Sequence, residues 1–258
     1  MILGLVLGNT SVRYGLFDGG AVRVSGRVEW NEFQTMASLV RALLEAHEVS
    51  EAVAASVRDD LLESVERTLP PRLTPVVVAR RDFALPIANE YTRPWEAGTD
   101  RLLNAVAARE RAGGRGAVAV DFGTAISVSV VSPQGAFLGG PIACGGAALA
   151  RGLRASAPRL PHAEASSRTP FVARDTVSAL GTGVFWEIAG GVRALLQGIL
   201  RSVDFRPRVF ATGGEAETYR ESIPEIDELV PNLVLEGLCF ACRAREFWKG
   251  PWSDVSRP

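Results

Sequence analysis

The apolar positions of the chain form short unbroken runs that alternate with stretches at helical spacing. An apolar run at 2–7, a tight turn and a second run at 12–17 open the chain, and the same order recurs at 117–120 and 126–131. Unbroken apolar runs bounded by turn residues are typical of buried strands. The repeated strand–turn–strand unit favours a duplicated α/β architecture, with chance similarity of two buried hairpins as the alternative.

Amphipathic segments between these units predict helices, and further short apolar runs predict strands. The predicted helices span 33–47, 101–112 and 176–200, and the additional strands span 53–56, 76–79 and 209–212. Strands that alternate with helices favour mixed or parallel sheets. The glycine-rich run at 113–116 predicts a boundary between an N-terminal half at 1–112 and a C-terminal half at 117–258.

The third predicted helix contains an unusual number of glycines, namely Gly183, Gly190, Gly191 and Gly198. Each costs about 1 kcal/mol relative to alanine in a helix interior. We therefore expect either close packing of another helix or backbone against this segment, or a break within it.

Composition restricts the partners of the chain. Its 258 residues include 28 Lys and Arg against 29 Asp and Glu, a net charge of −1, which argues against a nucleic-acid partner held by a bulk positive field. No apolar run reaches the roughly 18–20 residues that span a bilayer, so no membrane partner is expected. Three cysteines form no disulfide framework, and without an export signal we expect a cytoplasmic protein.

Three glycine-containing turns, at 8–11, 123–125 and 212–214, each follow an apolar strand. Glycine allows close approach of the backbone to phosphate oxygens, and successive N–H groups in such turns bind anions. A single turn of this kind is usually only a turn. All three together, shared between two halves, indicate two phosphate loops and a third loop near the nucleoside.

Two carboxylates stand out beside these turns. Asp100 precedes Arg101 at the start of a predicted helix, where it either caps the helix or acts as a general base, with Arg101 pairing a substrate carboxylate. Asp121 ends a buried strand, where it either binds a cation beside phosphates or accepts turn amides.

The remaining candidates for metal or nucleophile chemistry are weak. His47 and His162 are separate along the chain and indicate neither a metal site nor a hydrolase triad. Cys239 and Cys242 lie in an apolar helical run at 233–244, which favours buried structural thiols over zinc or redox chemistry.

Seven segments in family-like order resemble the type III pantothenate kinases of the actin-like ATPase superfamily. They are GNTSVRYGLFD at 8–18, YTRPWEAGTDR at 91–101, VDFGTAISVSVV at 120–131, FLGGPIACG at 137–145, DTVSALGTGVFW at 175–186, ATGG at 211–214 and LVLEGL at 233–238. The resemblance implies an α/β fold of duplicated actin-like, ribonuclease H-like halves with a nucleotide cleft between them.

The same resemblance implies the reaction, its cofactors and its residues. ATP would phosphorylate pantothenate to 4'-phosphopantothenate, the first step of coenzyme A biosynthesis, with Mg²⁺ and a monovalent cation, K⁺ or NH₄⁺, in a homodimer whose substrate pocket is completed across the interface. Asp100 would be the general base, and Asp121 would hold the monovalent cation. Pantothenate would contact Tyr91, Gly98, Thr99, Asp100, Arg101 and Thr176. ATP would contact Val6, Leu7, Gly8, Asn9, Thr10, Ser11, Val12, Arg13 and Thr124.

Three positions depart from the family pattern on the ATP side. Val6 replaces the acidic residue that organises Mg²⁺ or its waters, and valine has no oxygen for a hard cation. The second loop continues as Ile126-Ser127-Val128-Ser129 instead of Thr-Thr-Phe-Asp, and Arg93 stands where an asparagine is usual. Three hypotheses follow: an active pantothenate kinase, a weakened or inactive member that acts by binding or regulation, and a kinase for another small hydroxylated acid.

Overall fold

The computed structural model describes residues 1–56 and 59–245, which form two sheets with the same strand order. The first sheet contains β1 (Ile2–Leu7), β2 (Ser11–Asp18), β3 (Ala21–Glu29), β4 (Glu51–Ser56) and β5 (Val77–Val78). The second contains β6 (Ala88–Asn89), β7 (Ala117–Phe122), β8 (Ala125–Val131), β9 (Ala136–Gly139), β10 (Ile142–Cys144), β11 (Arg208–Thr212) and β12 (Glu228–Leu229).

The order β3-β2-β1-β4-β5 in the first sheet corresponds to β9-β8-β7-β11-β12 in the second. In the first sheet, β3, β2 and β1 are antiparallel neighbours, and β4 and β5 run parallel to β1. In the second sheet, β9, β8 and β7 are antiparallel neighbours, and β11 and β12 run parallel to β7. The predicted duplicated α/β fold is therefore confirmed. The second sheet adds β6 beside β9, and β10 pairs with β8.

Seven α-helices in the described ranges separate and cover the sheets. They are α1 (Phe33–Ala46), α2 (Asp59–Glu66), α3 (Thr99–Ala112), α4 (Gly146–Ser156), α5 (Thr176–Ser202), α6 (Ala216–Arg220) and α7 (Leu233–Ala244). Three 3₁₀ turns lie at Trp30–Glu32, Pro71–Leu73 and Pro94–Glu96. No helix among these described residues is long and apolar enough to cross a membrane.

The buried side chains form three clusters that define five layers. Helices α1 and α2 cover the outer face of the first sheet, and α5 and α6 cover the outer face of the second. Helices α3 and α7 lie between the two sheets, in a central cluster that takes Val6 and Val53 from the first and Phe137 and Phe210 from the second.

Helices α3 and α7 approach each other closely. A Cβ at Gly237 would lie 2.0 Å from the Leu103 carbonyl oxygen, so this crossing requires a glycine. Arg111 adds a bidentate ion pair, with Nε 2.6 Å from Glu236 Oε2 and Nη2 2.7 Å from Glu236 Oε1. The two helices therefore form one unit, on which both sheets are mounted.

The predicted boundary at 113–116 falls in the turn after α3, where Gly113 ends the helix with φ of 59°. Two features cross this boundary: β6 pairs within the second sheet, and α7 contacts the first. The division into halves at 1–112 and 117–258 stays a prediction.

The surroundings of the four glycines in α5 differ from the prediction. The helix runs unbroken from Thr176 to Ser202. An added Cβ at Gly183, Gly190, Gly191 or Gly198 would meet no heavy atom within 4 Å in the described chain. Both expectations, a break and close packing, are therefore wrong within this chain, and these glycines border open space.

Candidate active site

The first two glycine turns meet between the sheets. Thr10 follows β1 and Thr124 follows β7, the equivalent strand of the second sheet, and their Oγ1 atoms lie 3.4 Å apart. Each turn is closed by a backbone bond: Gly8 N–H donates to the Ser11 carbonyl at 2.9 Å, and Gly123 N–H donates to the Ala125 carbonyl at 3.2 Å. Hydroxyls and turn amides from both halves thus converge on one place, as a phosphate site requires.

Trp30 holds the first turn from outside, a contact that the sequence reasoning missed. Its indole N–H donates to the Gly8 carbonyl at 2.9 Å, and its backbone N–H donates to the Thr10 carbonyl at 3.1 Å. These two bonds fix carbonyls that would otherwise be free to turn toward the phosphate site.

The third turn also joins this group. Gly213 has φ of 100°, and a Cβ there would lie 2.4 Å from the Phe122 carbonyl oxygen and 2.5 Å from Asp121 Oδ1. Glycine is therefore required on both conformational and steric grounds. The three predicted turns lie together around the end of β7.

Not every predicted ATP residue presents its side chain to this group. Leu7 and Val12 are buried in the cluster under α1 and α2, so only their backbone can take part. Val6 is 6% exposed and faces the central cluster. It offers no oxygen to a cation, as the sequence predicts.

Arg101 anchors the substrate side from the first turn of α3. Its Nη1 donates to the Tyr91 hydroxyl at 2.6 Å, and its Nη2 donates to the carbonyls of Val128 at 2.9 Å and Gly140 at 2.8 Å. The side chain is buried and its Nε has no hydrogen-bond partner among the described residues. In the same part of the chain the guanidinium forms no ion pair, so its charge is available to attract an anion.

Asp100 lies beside Arg101 in the first turn of α3, and its Oδ1 accepts the Arg101 backbone N–H at 2.8 Å. The cap position of this helix is Gly98 and no side chain caps it, so the capping alternative is wrong, and the role of general base stays a prediction. Burial, and then the negative charge of Asp121, raise the pKa of the Asp100 carboxyl above its ordinary value, against the opposing charge of Arg101. A raised pKa suits a group that must accept a proton.

Asn104 connects this carboxylate pair and was not identified from the sequence. Its Nδ2 donates to Asp121 Oδ2 at 2.9 Å, while its Oδ1 is buried without a partner in the described ranges. The signal was available, because position 104 follows Asp100 by one helical turn and lies on the same face. Carboxylate and amide oxygens are suitable ligands for a hard cation.

Acidic, thiol and imidazole groups form no metal cluster of their own. Among the described residues, no three His, Cys, Asp or Glu side chains could hold a metal ion together. Burial raises the pKa of the Cys239 thiol to about 11 and that of Cys242 to about 12, which makes them unreactive. Both thiols are buried, as predicted.

Thr176 is not joined to the other predicted substrate residues. It is exposed at the first residue of α5, whose start is capped by Asp175 through a 2.9 Å bond from Ser178 N–H. In the described part of the chain its side chain forms no hydrogen bond with Tyr91, Asp100 or Arg101.

Comparison with known proteins identifies one family. The family model described as type III pantothenate kinase matches residues 2–198. Curated proteins named type III pantothenate kinase match 92% of this chain. The protein from Gluconobacter oxydans is 33% identical over 91% of its length, and that from Anaeromyxobacter sp. strain K is 36% identical over 97% of its length.

Solved structures with low identity share the fold. A Campylobacter jejuni protein described as a member of the Baf family superposes with a TM-score of 0.62 at 17% identity, over 95% of this chain and 98% of that one. A ROK family glucokinase from Streptomyces griseus, solved with glucose and AMPPNP, has a TM-score of 0.52 at 13% identity, over 94% of this chain and 99% of that one. These likenesses support the two-lobed, actin-like arrangement of the sheets.

Proposed function

The chain belongs to the type III pantothenate kinase family, and we propose from this premise how its residues divide the work. It is a phosphotransferase that uses ATP to phosphorylate pantothenate in coenzyme A biosynthesis. The observation that carries the assignment of roles is that Thr10 and Thr124, from the turns of the two sheets, meet beside the end of β7, where Asp121 lies near enough to Asp100 to raise its pKa.

On the substrate side, Asp100 takes the proton from the terminal hydroxyl of pantothenate as that oxygen attacks the γ-phosphorus, and the bond from the γ-phosphorus to the bridging oxygen breaks to release ADP. Arg101, buried without a carboxylate partner in the described ranges and hydrogen-bonded to Tyr91, attracts the substrate carboxylate. Gly98 and Thr99, which begin α3, line the same pocket. Because Asp100 and Arg101 both lie in the first turn of α3, they hold the terminal hydroxyl of pantothenate at a fixed position relative to the base.

On the ATP side, the turns at 8–11 and 123–125 supply amide and hydroxyl donors to the phosphates. Thr10 and Thr124 contribute one hydroxyl from each sheet. Such transfer depends on positioning and charge neutralisation and needs no covalent intermediate.

We assign Asp121 to a monovalent cation, K⁺ or NH₄⁺, because Asn104 Nδ2 holds its carboxylate in place and the amide oxygen of Asn104 is buried without a partner in the described ranges. A bound cation would neutralise charge beside the phosphates. Mg²⁺ would be held mainly by the ATP phosphates and water, since Val6 cannot contribute a ligand.

A homodimer would complete the pocket. The outward face of α5 consists largely of small residues that border open space, and exposed Val177 and Leu200 lie near its ends. Small residues allow two helices to approach closely. Pairing of this face with a second copy would bring Thr176 to the partner's substrate site. Because the reaction consumes ATP, we place the enzyme in the cytoplasm.

The decisive experiment is the measurement of phosphopantothenate by mass spectrometry with millimolar ATP, Mg²⁺ and K⁺. Wild type, Val6→Asp and Asp100→Asn are compared, with a panel of other small hydroxy acids as substrates. Product from wild type and none from Asp100→Asn supports the proposal.

The other outcomes separate the alternatives. A silent wild type with an active Val6→Asp variant would indicate a kinase scaffold now used for binding or regulation. Phosphorylation of a different hydroxy acid instead of pantothenate would assign a different substrate to the enzyme. If neither wild type nor Val6→Asp phosphorylates any substrate, the kinase function is refuted.

A further inference from the structure

Three residues form a row across the first sheet at the cleft. Val6 on β1 is the cross-strand partner of Arg13 on β2, and Arg13 is the partner of Arg27 on β3. Directly paired residues project from the same face of a sheet. Val6 belongs to the cluster between the two sheets, so the row faces the cleft.

The row carries two positive charges that little in the protein balances. Like charges directly opposite each other destabilise a strand pair. Arg27 Nη2 lies 2.7 Å from Glu29 Oε1, but both side chains are about 40% exposed, and such pairs are weak. Arg13 forms no ion pair with any described carboxylate. An anion between the two guanidinium groups would remove the repulsion.

Arg27 also reaches across the cleft to the second sheet. Its Nη1 lies 2.7 Å from the point that a Cβ on Gly214 would occupy. Gly214 follows Gly213, which borders Asp121 at the end of β7. Arg27 therefore spans from the first sheet to the third glycine turn, beside the phosphate loops.

We propose that Arg27 is a further ligand of the β- and γ-phosphates of ATP, beside Arg13, which the resemblance already assigns to ATP, and that Arg27 supplies positive charge next to the position where Val6 removes a carboxylate. The proposal rests on the nucleotide site of the proposed function. Guanidinium groups match phosphate oxygens with two parallel hydrogen bonds. An aspartate at position 6 would lie opposite Arg13 and pair with it, whereas valine leaves Arg13 free for phosphate.

Calorimetric titration with AMP, ADP and AMP-PNP, without pantothenate, tests this assignment. Arg27→Gln is expected to weaken AMP-PNP binding about tenfold to hundredfold, as for loss of a charged hydrogen bond, and to change AMP binding less than about twofold. Arg13→Gln should act in the same direction. Arg27→Lys, which keeps the charge, should recover part of the affinity.

Arg23→Gln is the matched control, because Arg23 lies on the same strand in an exposed pair 3.9 Å from Asp18 and should leave all three affinities unchanged. Thermal unfolding confirms that each variant is folded. Without Mg²⁺, Val6→Asp should lower AMP-PNP affinity by occupying Arg13.

The proposal is overturned if Arg27→Gln lowers the affinities for AMP and AMP-PNP equally, or if it lowers neither. It is also overturned if wild type does not bind AMP-PNP more tightly than AMP. Since no turnover is measured, a protein that passes this test yet makes no phosphopantothenate would refute the proposed function alone.

Discussion

At the scale of single residues, the site holds polar groups that the folded chain leaves unsatisfied. Among the described residues, Arg101 is buried with an unpartnered Nε, and Asn104 is 1% exposed with an unpartnered Oδ1. Asp100 is partly buried near a second carboxylate, Asp121. Buried polar groups are normally paired, so such exceptions indicate places that a ligand completes. Here the three groups fit an anion, a cation and a proton.

Asp100→Asn should separate activity from stability. Loss of a general base lowers turnover about 10²- to 10⁴-fold. The folded-state pKa of Asp100 is raised above the unfolded value, so its ionised form opposes folding at neutral pH, and this penalty disappears as the pH falls below the ordinary Asp value. The variant should therefore unfold at a higher temperature than wild type at pH 7, and the difference should shrink toward pH 4.

Asp18→Asn is the control for this pair of measurements, because Asp18 is exposed and remote from the carboxylate pair. It should alter neither turnover nor the pH dependence of unfolding. A less stable Asp100→Asn protein at pH 7 would contradict the account.

Asn104→Leu tests the cation site. It removes the buried amide oxygen and the hydrogen bond that positions Asp121, and loss of such supporting contacts typically weakens metal binding about 10- to 100-fold. The K⁺ concentration for half-maximal activity should rise by that factor. Thermal stabilisation of the protein by K⁺ over Na⁺, at constant ionic strength, should decline in parallel. Unchanged K⁺ dependence in both measurements would exclude Asn104.

At the scale of elements, predictability followed the number of buried residues. The predicted strands at 2–7 and 117–120 bury nearly every side chain, and both are confirmed. Strand β3 and helix α4 were not predicted, although Val22, Val24 and Val28 alternate with polar residues along β3. Strand β3 buries only Val28 and α4 only Gly146, so neither contains a continuous buried run. The substrate segment before α3 required the resemblance, because its contacts join residues distant in sequence.

The role of a glycine within a helix is also difficult to predict from the sequence. A glycine in a helical segment indicates that a side chain is absent but not whether a neighbour requires this. The four glycines of α5 border open space, whereas Gly237, which the sequence did not single out, meets the backbone of α3.

Gly237→Ala should therefore destabilise the protein. Its Cβ would lie 2.0 Å from the Leu103 carbonyl oxygen, and overpacking of this kind costs about 1–3 kcal/mol. Gly152→Ala in α4 is the matched control, since an added Cβ there meets nothing within 4 Å and should stabilise the helix by about 1 kcal/mol. Denaturant unfolding of both variants measures the two signs, and equal effects would refute the close crossing.

At the scale of the whole molecule, the duplicated strand order was accessible because both halves open with the same apolar pattern. The central layer could not be predicted from the sequence. The pairing of α3 with α7 joins segments more than 100 residues apart, and it depends on the fit of the two helix surfaces rather than on the period of apolar residues. That layer carries Asp100, Arg101 and Asn104 on α3, which we propose as the base, the anion ligand and a cation ligand. Thr176 is the predicted substrate residue that this arrangement leaves separate.

The proposed homodimer, in which the outward faces of α5 pair, would account for this separation. Gly190→Arg places a large charged side chain on that face without an internal clash, since nothing described lies within 4 Å of its Cβ. Light scattering should give twice 27.6 kDa for wild type and a single chain of 27.6 kDa for the variant. The variant should bind AMP-PNP normally but lose affinity for pantothenate, because the partner's threonine no longer reaches the pocket. Gly152→Arg, on exposed α4, should remain dimeric and active. A wild type that is monomeric yet binds pantothenate would show instead that each chain carries a complete pocket.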